Sequence, residues 1–288
     1  MSTKEKEVVV VIGAGAIGQA IARRIGVGRT LLLADINEKA GGTAAGALNG
    51  VGYATQATRV DVSSRESVGA LAAEAARIGQ VVHVVHTAGV SPAQASPEAI
   101  IAVDLVGVAS VLEEFGQIVA PGGSGIVISS QAGHMMPPLP AEQNEALART
   151  PAAELARLPF LQPETITNSG IAYAMAKRAN TLRVQAASVE WGDRGARLNS
   201  LSPGIIMTPL AHDELNSPAG EAYQQMIKAS AAGRVGTPDE VGAAAAFLMG
   251  RDGAFITGTD LLIDGGVIAA IAAGRYELAL GGGRSASG

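Results

Sequence analysis

The strongest constraint on this chain is a rhythm. Short β-branched runs, each stopped by glycine or a small polar residue, alternate with longer stretches of helical periodicity. Val8 to Ile12 is such a run, and Ala16 to Ile25 follows it as a helix. Thr30 to Ala34 is the second strand and stops at Asp35, and a third lies within Val51 to Val60. Ser63 or Ser64 then caps a helix that carries Val68, Leu71, Ala72 and Ala75 on one face. Val81 to Val85 is the fourth strand, and one long helix is predicted from about Pro97 to Val119. The fifth strand, Gly125 to Ser129, is entered through the glycine turn Pro121-Gly122-Gly123. Helix Ile171 to Trp191, strand Arg197 to Leu201, helix Pro238 to Met249 and strand Asp260 to Ile263 complete the series. Strands joined by helices of this length form right-handed βαβ units and one parallel sheet covered on both faces.

Composition fits that architecture and narrows the function. Only 3% of the 288 residues are aromatic, so the core must come from Ala, Val, Ile and Leu, as in a parallel sheet buried on both sides. A net charge of −5 argues against nucleic acid or an anionic membrane as main partner. The absence of cysteine excludes disulfides, thiolate metal sites and cysteine nucleophiles. Met1 to Glu7 is polar and no apolar run reaches the roughly 20 residues that span a bilayer, so the protein is expected to be soluble and cytoplasmic. The four histidines show no ligand spacing, and no metal is expected.

One domain, residues 1–280, accounts for the pattern, with a flexible glycine-rich tail at 281–288. Two segments interrupt it. Residues 134–169 hold six prolines, with one or two short helices expected within Glu142 to Arg157. Residues 205–234 are polar at first and helical near Glu221 to Ala229. Insertions of this length in a compact domain are usually lids or mobile segments, and the second is assigned as a substrate lid.

Two constellations carry chemistry. Gly13-Ala14-Gly15-Ala16-Ile17-Gly18 follows a strand, opens a helix and precedes an acidic residue, Asp35, at the end of the next strand. Glycines there let the backbone approach a pyrophosphate held at a helix N-terminus, and the carboxylate accepts ribose hydroxyls. Asp35 repels a 2′-phosphate and no arginine adjoins it, which favours NAD(H) over NADP(H). Its other reading is a cap for the next helix. Further on, Tyr173 and Lys177 stand four residues apart in a predicted helix, hence about 40° apart in azimuth and roughly 6 Å along the axis. An ammonium so placed favours ionisation of a phenol, whose unperturbed pKa is about 10, and so suits it to proton exchange near neutral pH.

Together these residues resemble the short-chain dehydrogenase/reductase family, over Val8 to Gly266. The resemblance rests on the glycine turn, Asp61-Val62, His86-Thr87-Ala88-Gly89, Ile128 to Gly133, Tyr173 to Lys177, Leu198 to Gly204 and Ile263 to Gly266, in that order. The long segment between Ser130 and Tyr173, and the sequences after Tyr173 and Pro203, are similar to bacterial 3α-hydroxysteroid dehydrogenase/carbonyl reductases. The resemblance implies a single-domain Rossmann-type, doubly wound parallel sheet and hydride transfer between NAD(H) and a secondary alcohol or ketone. By the same resemblance, Ser130 binds the substrate oxygen, with Ser129 as the alternative one residue away. Tyr173 is the proton donor and acceptor, while Lys177 binds the nicotinamide ribose and lowers the tyrosine pKa. Gly13, Gly15, Ile17, Gly18 and Asp35 hold the pyrophosphate and ribose, and Asp61 and Val62 contact adenine. Ala88 and Gly89 lie beside the cofactor ribose, and Pro203, Gly204 and Thr208 hold the nicotinamide. A homodimer or homotetramer is also implied.

Four departures accompany the resemblance. The glycine turn is one residue shorter than the family's, and His86-Thr87 replaces asparagine-containing pairs. Asp104 stands where an asparagine often belongs to the catalytic set, and the segment before Tyr173 is unusually long. Gln131, His134, Met135, Met136, the insertion and the lid are expected to wall a pocket for a bulky apolar or cyclic, hydroxysteroid-like substrate. Polyol, sugar or β-ketoacyl reduction on the same fold is the alternative chemistry, and a non-catalytic NAD-binding sensor the alternative class.

Overall fold

A computed structural model describes residues 5–216 and 220–276. Seven strands form a single parallel sheet: β1 Glu7–Ile12, β2 Thr30–Asp35, β3 Ala54–Arg59, β4 Gln80–His86, β5 Val119–Ile128, β6 Arg197–Pro203 and β7 Asp260–Ile263. Their spatial order is β3-β2-β1-β4-β5-β6-β7. The order reverses between β1 and β4, which opens a crevice at their carboxyl ends, the usual place for a ligand in such sheets.

Alternation along β1 shows why the sheet is buried on both sides. Val8, Val10 and Ile12 point into one core together with Val68, Leu71 and Ala75 of α3 (Arg65–Ile78) and with Phe115 of α5 (Val108–Gly116). Val184 and Trp191 of α9 (Ser169–Asp193) complete that layer. Val9 and Val11 point the other way, onto α1 (Ala16–Ile25), α2 (Glu38–Asn49) and α12 (Pro238–Met249). Phe115 and Trp191 apart, the space is filled mainly by the aliphatic side chains of the two helical layers.

The sequence reading needs two changes, and one of its alternatives is resolved. The helix expected from Pro97 to Val119 is not continuous: α4 (Pro97–Ile100) runs into a π-helical stretch, Ile101–Gly107, before α5 begins. Asp104 lies in that stretch. A π turn inserts one extra residue without disturbing the apolar spacing enough to show in the sequence, and such turns concentrate at functional positions. The fifth strand starts earlier than expected, with Val119 paired to Val81 and the Pro121-Gly122-Gly123 turn forming an irregularity inside it. Ser64, not Ser63, caps α3, accepting from the Ser67 amide.

The proline-rich insertion is a packed second core and no mobile lid. After α6 (Gln131–Met135) come α7 (Ala141–Arg149) and α8 (Ala152–Leu155), each preceded by a proline. Leu147, Leu155, Leu161 and Ile166 are buried against Ala172, Met175, Ala176 and Ala179 of α9. Arg183 of α9, itself buried, donates to the carbonyls of Leu147 and Thr150 at 3.0 and 2.8 Å and so closes the end of α7. The 205–234 segment contains α10 (Pro209–Leu215) and α11 (Gly220–Ala229), and α13 (Val267–Ala272) follows β7. The predicted tail at 281–288 lies outside the described residues. Among the described residues no helix is long and apolar enough to cross a membrane.

Candidate active site

A cleft of about 430 Å³ opens at the carboxyl ends of β1, β2 and β4. Of the residues expected at a cofactor, Gly13, Gly15, Ile17, Gly18, Asp35, Asp61, Val62, Ala88, Gly89 and Thr208 all line it. The glycines divide the work. Gly13 has φ +96°, and a Cβ there would meet Thr87 Oγ1 and the Ala88 amide nitrogen at 2.6 Å. A Cβ on Gly18 would fall 2.1 Å from the Gly13 carbonyl oxygen. Those two positions let β1, β4 and α1 close up. Gly15 is different: a Cβ on it would meet nothing within 4 Å, so the open space lies directly at the start of α1. No side chain caps that helix and its first turn holds no acid, leaving its amides and dipole for an anion.

Asp35 does not cap α2, a role filled by Asn37. Its Oδ2 accepts from the Ala14 amide at 2.8 Å and its Oδ1 from the Asn37 amide at 2.9 Å. Each carboxylate oxygen keeps a second lone pair for a ligand hydroxyl. Thr87, a residue whose role the sequence left unread, locks the turn from the other side, donating to the Gly13 carbonyl at 2.8 Å. Its forewarning in the sequence is the His86-Thr87 pair that replaces the family's asparagine-containing one at the end of β4.

Beyond the cleft, α6 brings the serine element against α9. A Cβ on Gly133 would lie 2.8 Å from the Arg178 amide nitrogen and 2.9 Å from the Lys177 carbonyl carbon, so only glycine permits this approach. The two candidate serines then part. Ser129 is buried and donates its hydroxyl to the Lys177 carbonyl at 2.7 Å. Ser130 is partly exposed at the N-cap of α6, where its oxygen accepts from the Ala132 amide at 3.2 Å. Tyr173 is half-buried one turn before Lys177, whose Nζ lies 5.2 Å from the phenol ring centre. Lys177 itself is buried and forms an ion pair at 3.1 Å with Asp104 Oδ2. Burial works against that ammonium, but the Asp104 carboxylate and Tyr173 outweigh it and hold the lysine pKa above its ordinary value.

Comparison with known proteins gives this geometry its family. The family model described as enoyl-(acyl carrier protein) reductase matches residues 13–158 and 155–268. A short-chain dehydrogenase/reductase of Alternaria brassicicola is 41% identical over 261 residues, covering 90% of this chain and 95% of that protein. The chain belongs to the short-chain dehydrogenase/reductase family. Membership makes it an oxidoreductase built on an NAD(H)-binding fold and working between alcohols and ketones. A D-threitol dehydrogenase of Mycolicibacterium smegmatis is 29% identical over 270 residues, covering 90% of this chain and 92% of the relative. The structure of a 3α-hydroxysteroid dehydrogenase from Pseudomonas sp. B-0831 complexed with NADH superposes with a TM-score of 0.75 at 26% identity, covering 92% of this chain and 98% of that one.

Of the other residues expected at the cofactor, Tyr173, Lys177, Pro203 and Gly204 are not among those that line the cleft. Pro203 is buried at the end of β6, and Gly204 lines a separate cavity of about 200 Å³ with Ile206, Ile227 and Asp264. His134, expected on the pocket wall, instead pairs with Asp260 Oδ2 at 2.7 Å. The same carboxylate accepts from Ser200 and Ser202, so His134 ties α6 to β6 and β7. Asp61 turns its Oδ1 to the Ser63 amide at 3.0 Å, which shapes the exit from β3. His86, at the end of β4, is fully buried with neither ring nitrogen hydrogen-bonded. Burial first, then the Lys177 charge, push its pKa down to about 3.

Proposed function

We propose that this chain is an NAD(H)-dependent dehydrogenase that interconverts a secondary alcohol and a ketone through Ser130, Tyr173 and Lys177. The observation that carries the reading is the buried Lys177 ammonium held against the Tyr173 ring, on a helix packed to the serine-bearing turn. When bound in the cleft, the nicotinamide cofactor supplies the hydride acceptor or donor. In oxidation, the Tyr173 phenolate takes the hydroxyl proton while Ser130 donates a hydrogen bond to the substrate oxygen. In reduction, the two hydroxyls donate to the developing alkoxide and Tyr173 gives up its proton to it. Lys177, whose pKa stands above its ordinary value, is an ammonium and favours the phenolate.

Supporting Ser130 over Ser129 is the division of their hydroxyls, since Ser129 is already committed to a helix carbonyl. Asp35 supports NAD(H): its carboxylate faces the cleft beside Ile36, whereas Arg59, its register partner on β3, is not among the residues that line the cleft.

The favoured substrate is bulky and apolar or cyclic. Tyr173 packs against an apolar cluster that also takes in Val90, Met136, Leu139 and Phe160, surfaces suited to hydrocarbon more than to a polyol. The fully exposed Phe255 and half-exposed Phe247 support assembly as a homodimer or homotetramer. Incubation with NAD(H) and a panel of hydroxysteroids, cyclic alcohols, polyols and β-ketoacyl thioesters, followed by nicotinamide absorbance, tests the reading. Turnover of the first two classes is expected. Preference for polyols would overturn the substrate assignment, and NADH binding without turnover of any class would overturn the enzyme assignment.

A further inference from the structure

Two of the chain's departures from its family, His86 and Asp104, are both coupled to the charge of Lys177. They come from different elements, the end of β4 and the π-helical stretch before α5: Asp104 pairs with the Lys177 ammonium, and the charge of that ammonium helps keep His86 neutral. Asp104 is fully buried, and its Oδ2 stands 3.1 Å from Lys177 Nζ, which is itself only 6% exposed. The other oxygen, Oδ1, accepts from the Val90 amide at 2.8 Å, so the carboxylate is clamped rather than free to swing. Gly89 makes the arrangement possible, because a Cβ there would press on both carboxylate oxygens at 3.2–3.3 Å. The π turn positions the aspartate one step away from where a continuous α-helix would carry it.

We propose that Asp104 is a positioning residue that supplies the fixed counter-charge to Lys177 and thereby sets the pH range in which Tyr173 exchanges its proton. The inference rests on the Ser130, Tyr173 and Lys177 reading given above.

Charge accounting around the ammonium is short. Tyr173 faces it from its own helix, Asp104 from the π-helical stretch and His86 from β4. His86 contributes no charge, being an imidazole that burial keeps neutral. Asp104 is thus the anion that balances the lysine. An unpaired ammonium would pull the phenol strongly toward its ionised form. A buried carboxylate behind the same ammonium cancels part of that field at the phenol oxygen. The pair also resists disruption, since neither charge can reach water. The consequence is an alcohol dehydrogenase whose acidic limb lies higher than it would beside a neutral residue at position 104.

The test is Asp104→Asn, which keeps the size and the acceptor for the Val90 amide while removing the charge. Two readouts apply. The first is the pH profile of kcat/KM for alcohol oxidation, where the acidic limb should move down by about half a pH unit or more, with the plateau within about tenfold of wild type. The second needs no substrate: ultraviolet difference titration of tyrosinate, with Tyr173→Phe in each background as the blank, should show the same downward shift for Tyr173. Asp104→Glu, which restores the charge on a longer arm, should move both readouts back toward wild type. A limb that stays put or moves up, or a plateau loss beyond tenfold, would overturn the proposal. If Tyr173→Phe itself keeps full turnover, the underlying reading of the site fails instead, and the titration still reports whether Asp104 governs the phenol.

Discussion

Ser129 and Ser130 are neighbours with opposite expected losses. Replacing Ser129 by alanine removes a hydroxyl that is 3% exposed and donates to the Lys177 carbonyl at 2.7 Å. A buried intramolecular hydrogen bond is worth about 0.5–1.5 kcal/mol net, and the change leaves no large cavity. In a chain of this size such a loss lowers the melting temperature by about 1–2.5 °C. Turnover should fall less than about tenfold, because the α9 backbone is also held by its own helix and by Gly133. Replacing Ser130 by alanine costs a single cap interaction at a partly exposed position, 3.2 Å to the Ala132 amide, worth about 0.5–1 kcal/mol. Its effect on rate should be far larger, about 10²–10³ in kcat, the usual consequence of losing one donor to a developing oxyanion. The assay is paired: calorimetry for stability, and nicotinamide absorbance with the fastest alcohol of the panel for rate. A hundredfold loss in S129A with near-normal turnover in S130A would refute the assignment.

Asp35→Ala should reduce discrimination against NADP(H) by about tenfold or more and also weaken NADH, since the Ala14 amide loses its acceptor; unchanged selectivity in paired titrations would remove Asp35 from the ribose site. His86 should stay neutral in the folded protein, so its ring-carbon resonance should show no titration between pH 8 and pH 5. The unfolded chain binds a proton near pH 6.5 that the native state, with this group at about 3, refuses. Stability is therefore full above pH 6.5 and lost as pH falls, by about 2 kcal/mol at pH 5 from this group alone. Denaturant unfolding at the two pH values checks the size, and a resonance titrating near pH 6.5 would contradict it.

The fold was legible because its signal is repeated. Most strands are short aliphatic runs and the crossovers are helical, so the parallel sheet follows even where a boundary is misplaced by several residues, as at Val119. The cleft was legible for a related reason: glycines at Gly13 and Gly18 are demanded by backbone contacts that no other residue tolerates. Less of the site's wiring could be read. A π turn around Asp104 preserves apolar spacing and differs from a helix only in register, so an unbroken helix was the natural reading. Ser129 and Ser130 differ by one step of a two-residue period, which only the partner surface resolves. His134 was placed on the pocket wall because nothing in the sequence couples it to Asp260, 126 residues later. The short helices of the insertion are legible within Glu142 to Arg157, whereas the closing of its leucines over a second core on α9 is not.

The central claim is that Tyr173 passes the proton while the hydride moves. Tyr173→Phe removes one oxygen from a half-buried ring whose packing otherwise persists. Single-turnover oxidation of the preferred alcohol, with NADH binding measured on the same preparation, is the direct measurement. NADH affinity should stay within about threefold of wild type while kcat falls by about 10²–10⁴, the range for loss of a general acid–base. A variant that keeps more than about a tenth of wild-type kcat would contradict the account, because the proton would then be moving through another group.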